Sequence, residues 1–234
     1  VDFSVVQEEP GSDIDHRVPI YAARKRLLDS GEKAQAQVAK QDVFLVPGAF
    51  LLHNVLSRDE CLSIIAATEA MGYMESVPVS LGQHGGTKNN GVVIVDRHTN
   101  RMIFERCKVQ LPHVAEAAPL GLNAKWRLYK YGPHDTFKRH RDASWPGTRI
   151  NEPSQGLEQD VFRDRWSQLT WLLYLNDGFE GGATRFFLPS GKKWSVPAKQ
   201  GSVLCFFHGK HHLSPWHEGA IVLRGTKYVV RSDV

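Results

Sequence analysis

Cysteine is scarce in this chain, and long apolar runs are absent. Only three of the 234 residues are cysteines, Cys61, Cys107 and Cys205, and none of them forms a CxxC pair. An odd number excludes a complete disulfide framework and favours a reducing compartment such as the cytoplasm. Because no apolar stretch approaches the roughly 20 residues that span a bilayer, the sequence predicts no membrane span. The chain starts at Val1, so a removed targeting leader stays an open alternative and the location is not fixed.

The charge is not strongly of one sign. A formal net charge of +4 comes from scattered Lys and Arg, with no dense basic block, so a nucleic-acid partner is unsupported. Hydrophobic residues make up 41% and charged residues 23%, which is typical of a folded globular protein. The length suits one good-sized domain. Nothing in the sequence indicates the oligomeric state.

Helix signals come first along the chain. Residues 1–40 are polar and are predicted to form a tail and an outlying helix. Ser57 and Glu60 form a capping box ahead of apolar residues at helical spacing, and Gly72 ends that run. We expect a short strand at 43–46 and a second helix near 103–118. The Gly- and Asn-rich segment 81–91 predicts a loop, and the apolar VVIVD that follows predicts a strand.

Strand signals dominate from Lys125 onward. Short runs rich in aromatic and β-branched residues alternate with Gly, Pro, Asn and Asp, which predicts antiparallel sheet: WRLYKY, SQLTWLLYLN, ATRFFL, SVLCFF and TKYVVR. The predicted fold class is therefore mainly β with flanking helices (α+β), a jelly roll backed by N-terminal helices. Residues 41–234 are expected to form a single domain, with helical support in 41–124 and the jelly-roll core in 125–234.

The first sign of chemistry is a His-x-Asp pair, His140 and Asp142, after a strand-like segment. Side chains two residues apart on a strand share a face, so an imidazole and a carboxylate can converge on one ion. A surface cluster of ion pairs with the neighbouring arginines is the alternative. A metal site needs a third ligand from a distant strand. His208, His211 and His212 lie in a polar loop, where solvated histidines are expected. His217 is the preferred third ligand because a turn and a strand follow it. His212 is the second choice.

Two histidines and one carboxylate leave one face of an octahedral metal open. This arrangement is typical of non-haem Fe(II) oxygenases, whereas structural zinc sites usually have four protein ligands. The open face can take a chelating 2-oxo acid and O2. The far carboxylate of 2-oxoglutarate would then need a cationic partner, and Lys227, ten residues after His217 in an apolar context, is the candidate. A lysine that extends its ammonium from a strand end to water is the alternative.

Five motifs occur in the order seen in one enzyme family. They are Leu56-Ser57…Glu60-Cys61, Tyr131-Gly132-Pro133…His140-Arg141-Asp142, Leu172-Leu173-Tyr174-Leu175-Asn176…Gly181-Gly182-Ala183-Thr184-Arg185-Phe186, Gly201-Ser202-Val203-Leu204-Cys205-Phe206 and His217-Glu218-Gly219…Gly225-Thr226-Lys227-Tyr228-Val229-Val230-Arg231-Ser232-Asp233. From about residue 40 to its end, the chain resembles the prolyl 4-hydroxylase-like 2-oxoglutarate/Fe(II)-dependent dioxygenases. It departs from many members at Phe137, where they place a tyrosine three residues before the first metal histidine.

The resemblance implies a double-stranded β-helix, a cupin-like jelly roll. It also implies Fe(II) held by His140, Asp142 and His217, with 2-oxoglutarate and O2 as co-substrates and ascorbate as a candidate reductant. Lys227 would pair with the 5-carboxylate of 2-oxoglutarate. Tyr131 and Tyr174 are candidate phenol donors to it, and Tyr129 and Arg231 are further pocket candidates; for each tyrosine, a core aromatic is the alternative.

The expected reaction is hydroxylation of a C–H bond, most simply in a protein or peptide side chain such as proline. A free amino acid, a small metabolite or an alkylated nucleobase is the alternative substrate, and a non-catalytic jelly-roll binding module is a third interpretation. The polar segment 143–166 is long for a connection between strands, so we expect it to cover the substrate.

Overall fold

The computed structural model describes residues 2–10, 17–29, 37–75, 89–151, 154–163 and 165–234. In chain order the first elements are β1 (Phe3–Pro10), β2 (Arg17–Ala23), β3 (Ala39–Asp42), β4 (Phe50–His53), α1 (Arg58–Met71), β5 (Met74–Glu75), β6 (Asn89–Ile94), α2 (Arg97–Cys107) and a 3-10 turn (Lys108–Gln110). The remaining strands are β7 (Lys125–Tyr131), β8 (Phe137–His140), β9 (Thr148–Ile150), β10 (Leu157–Gln159), β11 (Leu169–Tyr174), β12 (Glu180–Gly181), β13 (Thr184–Phe187), β14 (Lys193–Val196), β15 (Val203–Phe207), β16 (His217–Gly219), β17 (Val222–Arg224) and β18 (Lys227–Asp233).

Two sheets carry the fold. The larger has the order β1-β2-β6-β7-β18-β11-β15-β4-β3, with β5 also paired to β6, and the smaller has the order β14-β13-β16-β8. All pairs are antiparallel except β2 with β6, which are parallel. The predicted mainly β, jelly-roll-like fold with flanking helices is confirmed.

Period-two alternation divides the larger sheet into two buried faces. On one face Trp126, Trp171 and Val230 pack in the same core as Ile64 of α1 and Ile103 of α2. On the other face, side chains of β7, β11, β15 and β18 meet those of the smaller sheet in a second core: Tyr129, Tyr131, Tyr174, Leu204, Phe206 and Val229 against Phe186 and Val196. Because successive strand residues point to opposite faces, one strand contributes to both cores. The space between the sheets is where polar side chains can be held in a fixed, buried geometry.

The capping box at the start of α1 is confirmed. The Ser57 side chain accepts a hydrogen bond from the Glu60 backbone amide, the Glu60 side chain accepts one from the Ser57 amide, and Gly72 caps the other end. The five strand predictions after Lys125 are also confirmed, as β7, β11, β13, β15 and β18. Neither helix has the length and apolar character needed to cross a membrane, and no other helix in the described ranges does.

Three element predictions need correction. Within residues 1–40, the described residues include strands β1 and β2 and the start of β3 rather than a tail, because Val18, Ile20 and Ala22 alternate into the core. Residues 30–36, in the middle of the predicted outlying helix, lie outside the described residues. Residues 43–46 form a turn after β3, in which Leu45 has a φ of 66°. The second helix runs over Arg97–Cys107, because the Asp96 side chain caps it at Thr99 and it ends well before Pro112.

The loop predicted at 81–91 lies mostly outside the described residues. Its last residues, from Asn89, belong to strand β6, which includes most of the predicted VVIVD strand.

Candidate metal centre

Pairing of β8 with β16 brings two candidate ligands together. His140 lies opposite His217 in the register, and their ring centroids are 4.2 Å apart. Asp142, just beyond β8, places Oδ1 at 3.4 Å from Nε2 of His140 and Oδ2 at 3.6 Å from Nε2 of His217. All three side chains are buried, and their ligand atoms lie within 4.8 Å of one another. Among the described residues, no other group of His, Cys, Asp and Glu meets this description.

Backbone carbonyls orient both imidazoles. Nδ1 of His140 lies 2.7 Å from the Lys138 carbonyl oxygen, and Nδ1 of His217 lies 3.3 Å from that of Pro215. A carbonyl only accepts, so each Nδ1 carries the hydrogen and each Nε2 presents a lone pair toward Asp142. Burial lowers the pKa of His217 to about 4, which keeps this ring neutral as metal ligation requires.

The Asp142 carboxylate is ionised despite its burial. Burial alone would raise its pKa, but the Arg231 guanidinium holds the pKa of Asp142 well below the ordinary value. Nε of Arg231 lies 3.4 Å from Oδ2, and the Thr170 hydroxyl donates to the same oxygen at 2.7 Å. The donor set is therefore two imidazoles and one carboxylate, which suits Fe(II).

Lys227 points into the same cleft from β18. Its side chain is buried, and Nζ donates to the Gly182 carbonyl at 2.5 Å. No carboxylate of the described residues lies within 4.0 Å of this ammonium. Burial lowers the pKa of Lys227 to about 7. A buried ammonium without an anion is unfavourable, so the position suits the carboxylate of a bound 2-oxo acid.

The predicted pocket residues lie around these groups. Tyr131 is opposite Lys227 in the β7–β18 register with its ring centroid 5.4 Å from Nζ, and the Tyr174 ring is 5.6 Å from it. The Tyr174 hydroxyl is hydrogen-bonded to Thr184 at 2.7 Å. Tyr129 packs beside Tyr131, and Arg231 also donates through Nη2 to Asp233 at 3.0 Å. Tyr129, Tyr131 and Arg231 line one cleft together with Lys227 and the three candidate ligands, whereas Tyr174 is not part of that lining and its hydroxyl partner Thr184 is.

Apolar rings form the wall around the imidazoles. Phe137 stacks on His140 with centroids 4.1 Å apart, and Phe206 lies edge-on to His217 at 4.7 Å. Many relatives carry a tyrosine at the position of Phe137. In this chain the Phe137 ring covers the candidate metal ligand His140 and offers no hydroxyl. The guanidinium groups of the neighbouring Arg139 and Arg141 lie over the Trp216 ring, and neither forms an ion pair with a described residue.

The prediction for His208 is wrong. It is buried, with Nε2 2.9 Å from Ser167 Oγ and Nδ1 3.1 Å from Thr170 Oγ1. The burial of His208 could have been predicted from the strand alternation, because Leu204, Phe206 and His208 fall on the same face. His211 and His212 stack on each other, at 4.6 Å between centroids, and lie outside the ligand group.

The segment 143–166 does not line the metal cleft with any of its described residues. It forms the hairpin β9–β10, and Trp145, Phe162 and Trp166 contribute to a separate groove beside the end of β18. The expectation that this segment covers the substrate is therefore not supported, because its strand pairing directs it to another part of the surface.

Comparison with known protein families adds an independent observation. Residues 126–232, which contain every candidate ligand and Lys227, match the 2OG-Fe(II) oxygenase superfamily. This segment is a 2-oxoglutarate/Fe(II)-dependent oxygenase domain, as the motif order predicted. A search of curated protein sequences gives no match.

Solved structures of low sequence identity share the oxygenase's fold. Viral collagen prolyl hydroxylase vCPH from Paramecium Bursaria Chlorella virus-1, solved with 2OG, gives a TM-score of 0.55 at 16% identity over 80% of this chain and 94% of that one. A Trichoplax adhaerens prolyl hydroxylase, in complex with a hypoxia inducible factor oxygen degradation domain peptide, gives 0.53 at 16% identity over 80% and 82%. OsALKBH1 gives 0.55 at 13% identity over 83% and 99%.

Proposed function

We propose that this oxygenase hydroxylates a side chain of a protein or peptide, with proline as the first candidate. In this proposal His140, Asp142 and His217 hold Fe(II), and Lys227 binds the 5-carboxylate of 2-oxoglutarate. The observation that carries it is a buried ammonium, without a carboxylate partner among the described residues, in the same cleft as two imidazoles and a carboxylate. When bound, Fe(II), 2-oxoglutarate and O2 supply the oxidation that inserts oxygen into a C–H bond and yields succinate and CO2.

The protein's own contribution is positioning and exclusion of water. The Lys138 and Pro215 carbonyls keep both Nε2 atoms aimed at one point. Phe137 and Phe206 cover the imidazoles with apolar surface, which strengthens electrostatic interactions in the cleft and limits access of water. The Tyr131 ring lies 5.4 Å from Nζ of Lys227 in the lining of the cleft, so it would contact a co-substrate held by that lysine.

The choice of a prolyl substrate draws on the prolyl hydroxylases that share this fold, one of them in complex with a peptide. OsALKBH1 shares the fold equally well, so the alternative substrates belong in the same experiment. The test is a 2-oxoglutarate turnover assay with three arms: proline-containing peptides, free amino acids and an alkylated single-stranded oligonucleotide. Succinate release coupled to gain of one oxygen atom by a peptide, and its loss when proline is replaced by alanine, is the expected result.

Variants test the site within the same assay. His140→Ala or Asp142→Asn should abolish turnover, because two remaining ligands hold the metal weakly. His53→Ala is the matched control, since His53 hydrogen-bonds Gln41 and Ser202 away from the cleft, and it should retain activity. Full activity in both ligand variants would refute the site. Oxygen transfer only to the oligonucleotide or to a free amino acid would refute the peptide substrate and leave the site intact.

A further inference from the structure

A buried chain of hydrogen bonds runs from the segment after β8 to the carboxylate of Asp142. The Trp145 backbone amide lies 2.9 Å from Ser167 Oγ, and Ser167 Oγ lies 2.9 Å from Nε2 of His208. Nδ1 of His208 lies 3.1 Å from Thr170 Oγ1, and Thr170 Oγ1 lies 2.7 Å from Oδ2 of Asp142. Ser167, His208 and Thr170, which we call the relay, are all buried. The oxygenase family match and the sequence motifs assign none of them a role.

The direction of the bonds in the relay follows from its carboxylate end. A backbone amide can only donate, so Ser167 accepts from Trp145 and keeps a hydroxyl hydrogen that it can donate to Nε2 of His208. At the other end an ionised carboxylate can only accept, so the Thr170 hydroxyl donates to Asp142 and must itself accept from His208. His208 therefore carries a hydrogen on Nδ1, and burial lowers the pKa of His208, which favours a neutral ring whose Nε2 accepts from Ser167. A carboxylate oxygen of Asp233, 3.8 Å from that Nδ1, favours the same tautomer.

The relay distinguishes the two oxygens of Asp142. Oδ2 accepts from Thr170 and lies 3.4 Å from Nε of Arg231 and 3.6 Å from Nε2 of His217, whereas Oδ1 faces Nε2 of His140 at 3.4 Å. Because Thr170 and Arg231 already contact Oδ2, we expect Oδ1 to bind the metal. Consecutive hydrogen bonds in a buried environment polarise one another. A change in the hydrogen bond at Trp145 should therefore alter the hydrogen bond that Asp142 accepts. Second-shell hydrogen bonds of this kind orient ligands and tune metal affinity.

The segment that starts the relay is itself fixed to the core. The Asn123 side chain donates to the Pro146 carbonyl at 3.2 Å and accepts from the Thr148 amide at 3.1 Å. The Arg127 guanidinium lies 4.8 Å from the Trp145 ring centroid. The position of the Trp145 amide therefore depends on how this segment packs, and the relay connects that packing to the metal ligand.

We propose that Ser167, His208 and Thr170 are positioning residues that hold Asp142 for metal binding through Oδ1 and couple the 143–166 segment to metal affinity. This inference rests on the proposed role of Asp142 as a ligand. Thr170→Val keeps the shape of the side chain and removes the hydroxyl, so we expect it to weaken metal affinity by about 10–100-fold. Thr170→Ser restores the hydroxyl and should restore affinity to within about threefold.

The measurement is a Mn(II) titration of the metal-free protein, followed by the electron paramagnetic resonance signal of free Mn(II), which does not depend on turnover. Thr68→Val is the matched control, because Thr68 is a fully buried threonine whose hydroxyl bonds to Ile64 in α1. It should lower thermal stability without changing Mn(II) affinity. Asp142→Asn, measured in parallel, separates the two proposals: unchanged binding there refutes the ligand assignment itself. If Asp142→Asn abolishes binding while Thr170→Val binds as tightly as the wild type, only the relay is refuted.

A double-mutant cycle tests whether the three residues act as one unit. Ser167→Ala should weaken Mn(II) binding in the wild-type background and have no further effect in the Thr170→Val background, since the relay is already interrupted there. Equal effects in both backgrounds would contradict the relay.

Nitrogen-15 NMR of His208 in the wild-type protein tests the relay without any substitution. The result can therefore be obtained even if a variant fails to fold. The relay requires hydrogen on Nδ1 and none on Nε2, and the opposite tautomer overturns the proposal.

Discussion

Replacing Lys227 by methionine should make the metal-free protein more stable while it weakens 2-oxoglutarate binding. Methionine has a similar length and no charge, so it removes the ammonium with little change in packing. The Lys227 side chain is 3% exposed, and its hydrogen bond is to one backbone carbonyl. Most substitutions at buried positions destabilise a protein. A gain in stability would therefore be a specific sign that this cation is kept for a ligand.

The magnitude follows from the pKa of Lys227. Burial lowers it from 10.5 to about 7, so below about pH 7 the ammonium stays charged in the folded state and opposes folding in full. Between about pH 7 and 10.5 the unfolded chain binds more protons than the folded one, so this opposition fades as pH rises. Replacement of a buried ion by an apolar residue typically stabilises by about 1–4 kcal/mol, and each kcal/mol raises the melting temperature by about 2–4 °C for a chain of this size.

The assay is thermal unfolding of the metal-free wild type and Lys227→Met at pH 6.5 and pH 9, with 2-oxoglutarate affinity measured in the presence of Mn(II). The stability gain should be larger at pH 6.5 than at pH 9. Loss of a buried, hydrogen-bonded charge pair costs about 2–5 kcal/mol, so affinity should fall at least about 30-fold. Lys130→Met is the matched control, because Lys130 pairs with Glu69 at 2.8 Å outside the cleft. A Lys227→Met protein that is less stable at pH 6.5, with unchanged 2-oxoglutarate affinity, would refute the reasoning.

Two further predictions concern the fold and the cysteines. Ser57→Ala removes half of the capping box and should lower the free energy of unfolding by about 0.5–2 kcal/mol in a denaturant titration; no change would contradict a role of the cap in stability. Burial raises the pKa of Cys61 and Cys107 to about 12 and that of Cys205 well above its ordinary value, so a thiol reagent at pH 8 should label the folded protein far more slowly than the unfolded one. Equal labelling rates would show that these thiols are not protected.

The parts of the fold that were predictable are those with strong local patterns. The capping box at Ser57 and Glu60 is defined by only four consecutive residues. The strands after Lys125 could be predicted from runs of β-branched and aromatic residues. The N-terminal strands β1 and β2 pair with each other, but they join the sheet only through the parallel pairing of β2 with β6, about 70 residues further on. No local propensity encodes such a pairing.

The site divides in the same way. His140 and Asp142 could be predicted from strand spacing, and His217 from its position before a returning strand, and the structure brings all three together. The roles of these residues in binding Fe(II) stay predictions, as does the reducing compartment inferred from the cysteines. Thr170 and His208 were missed because a buried hydroxyl and a buried imidazole look like ordinary strand and loop residues until the two strands are paired.

One measurement tests the central claim most directly: anomalous diffraction at the iron absorption edge from crystals grown anaerobically with Fe(II) and 2-oxoglutarate. We predict a single iron peak at bonding distance from Nε2 of His140, Nε2 of His217 and Oδ1 of Asp142, with the far carboxylate of 2-oxoglutarate against Nζ of Lys227. Iron bound elsewhere, or a coordination sphere that excludes His217, would contradict the account.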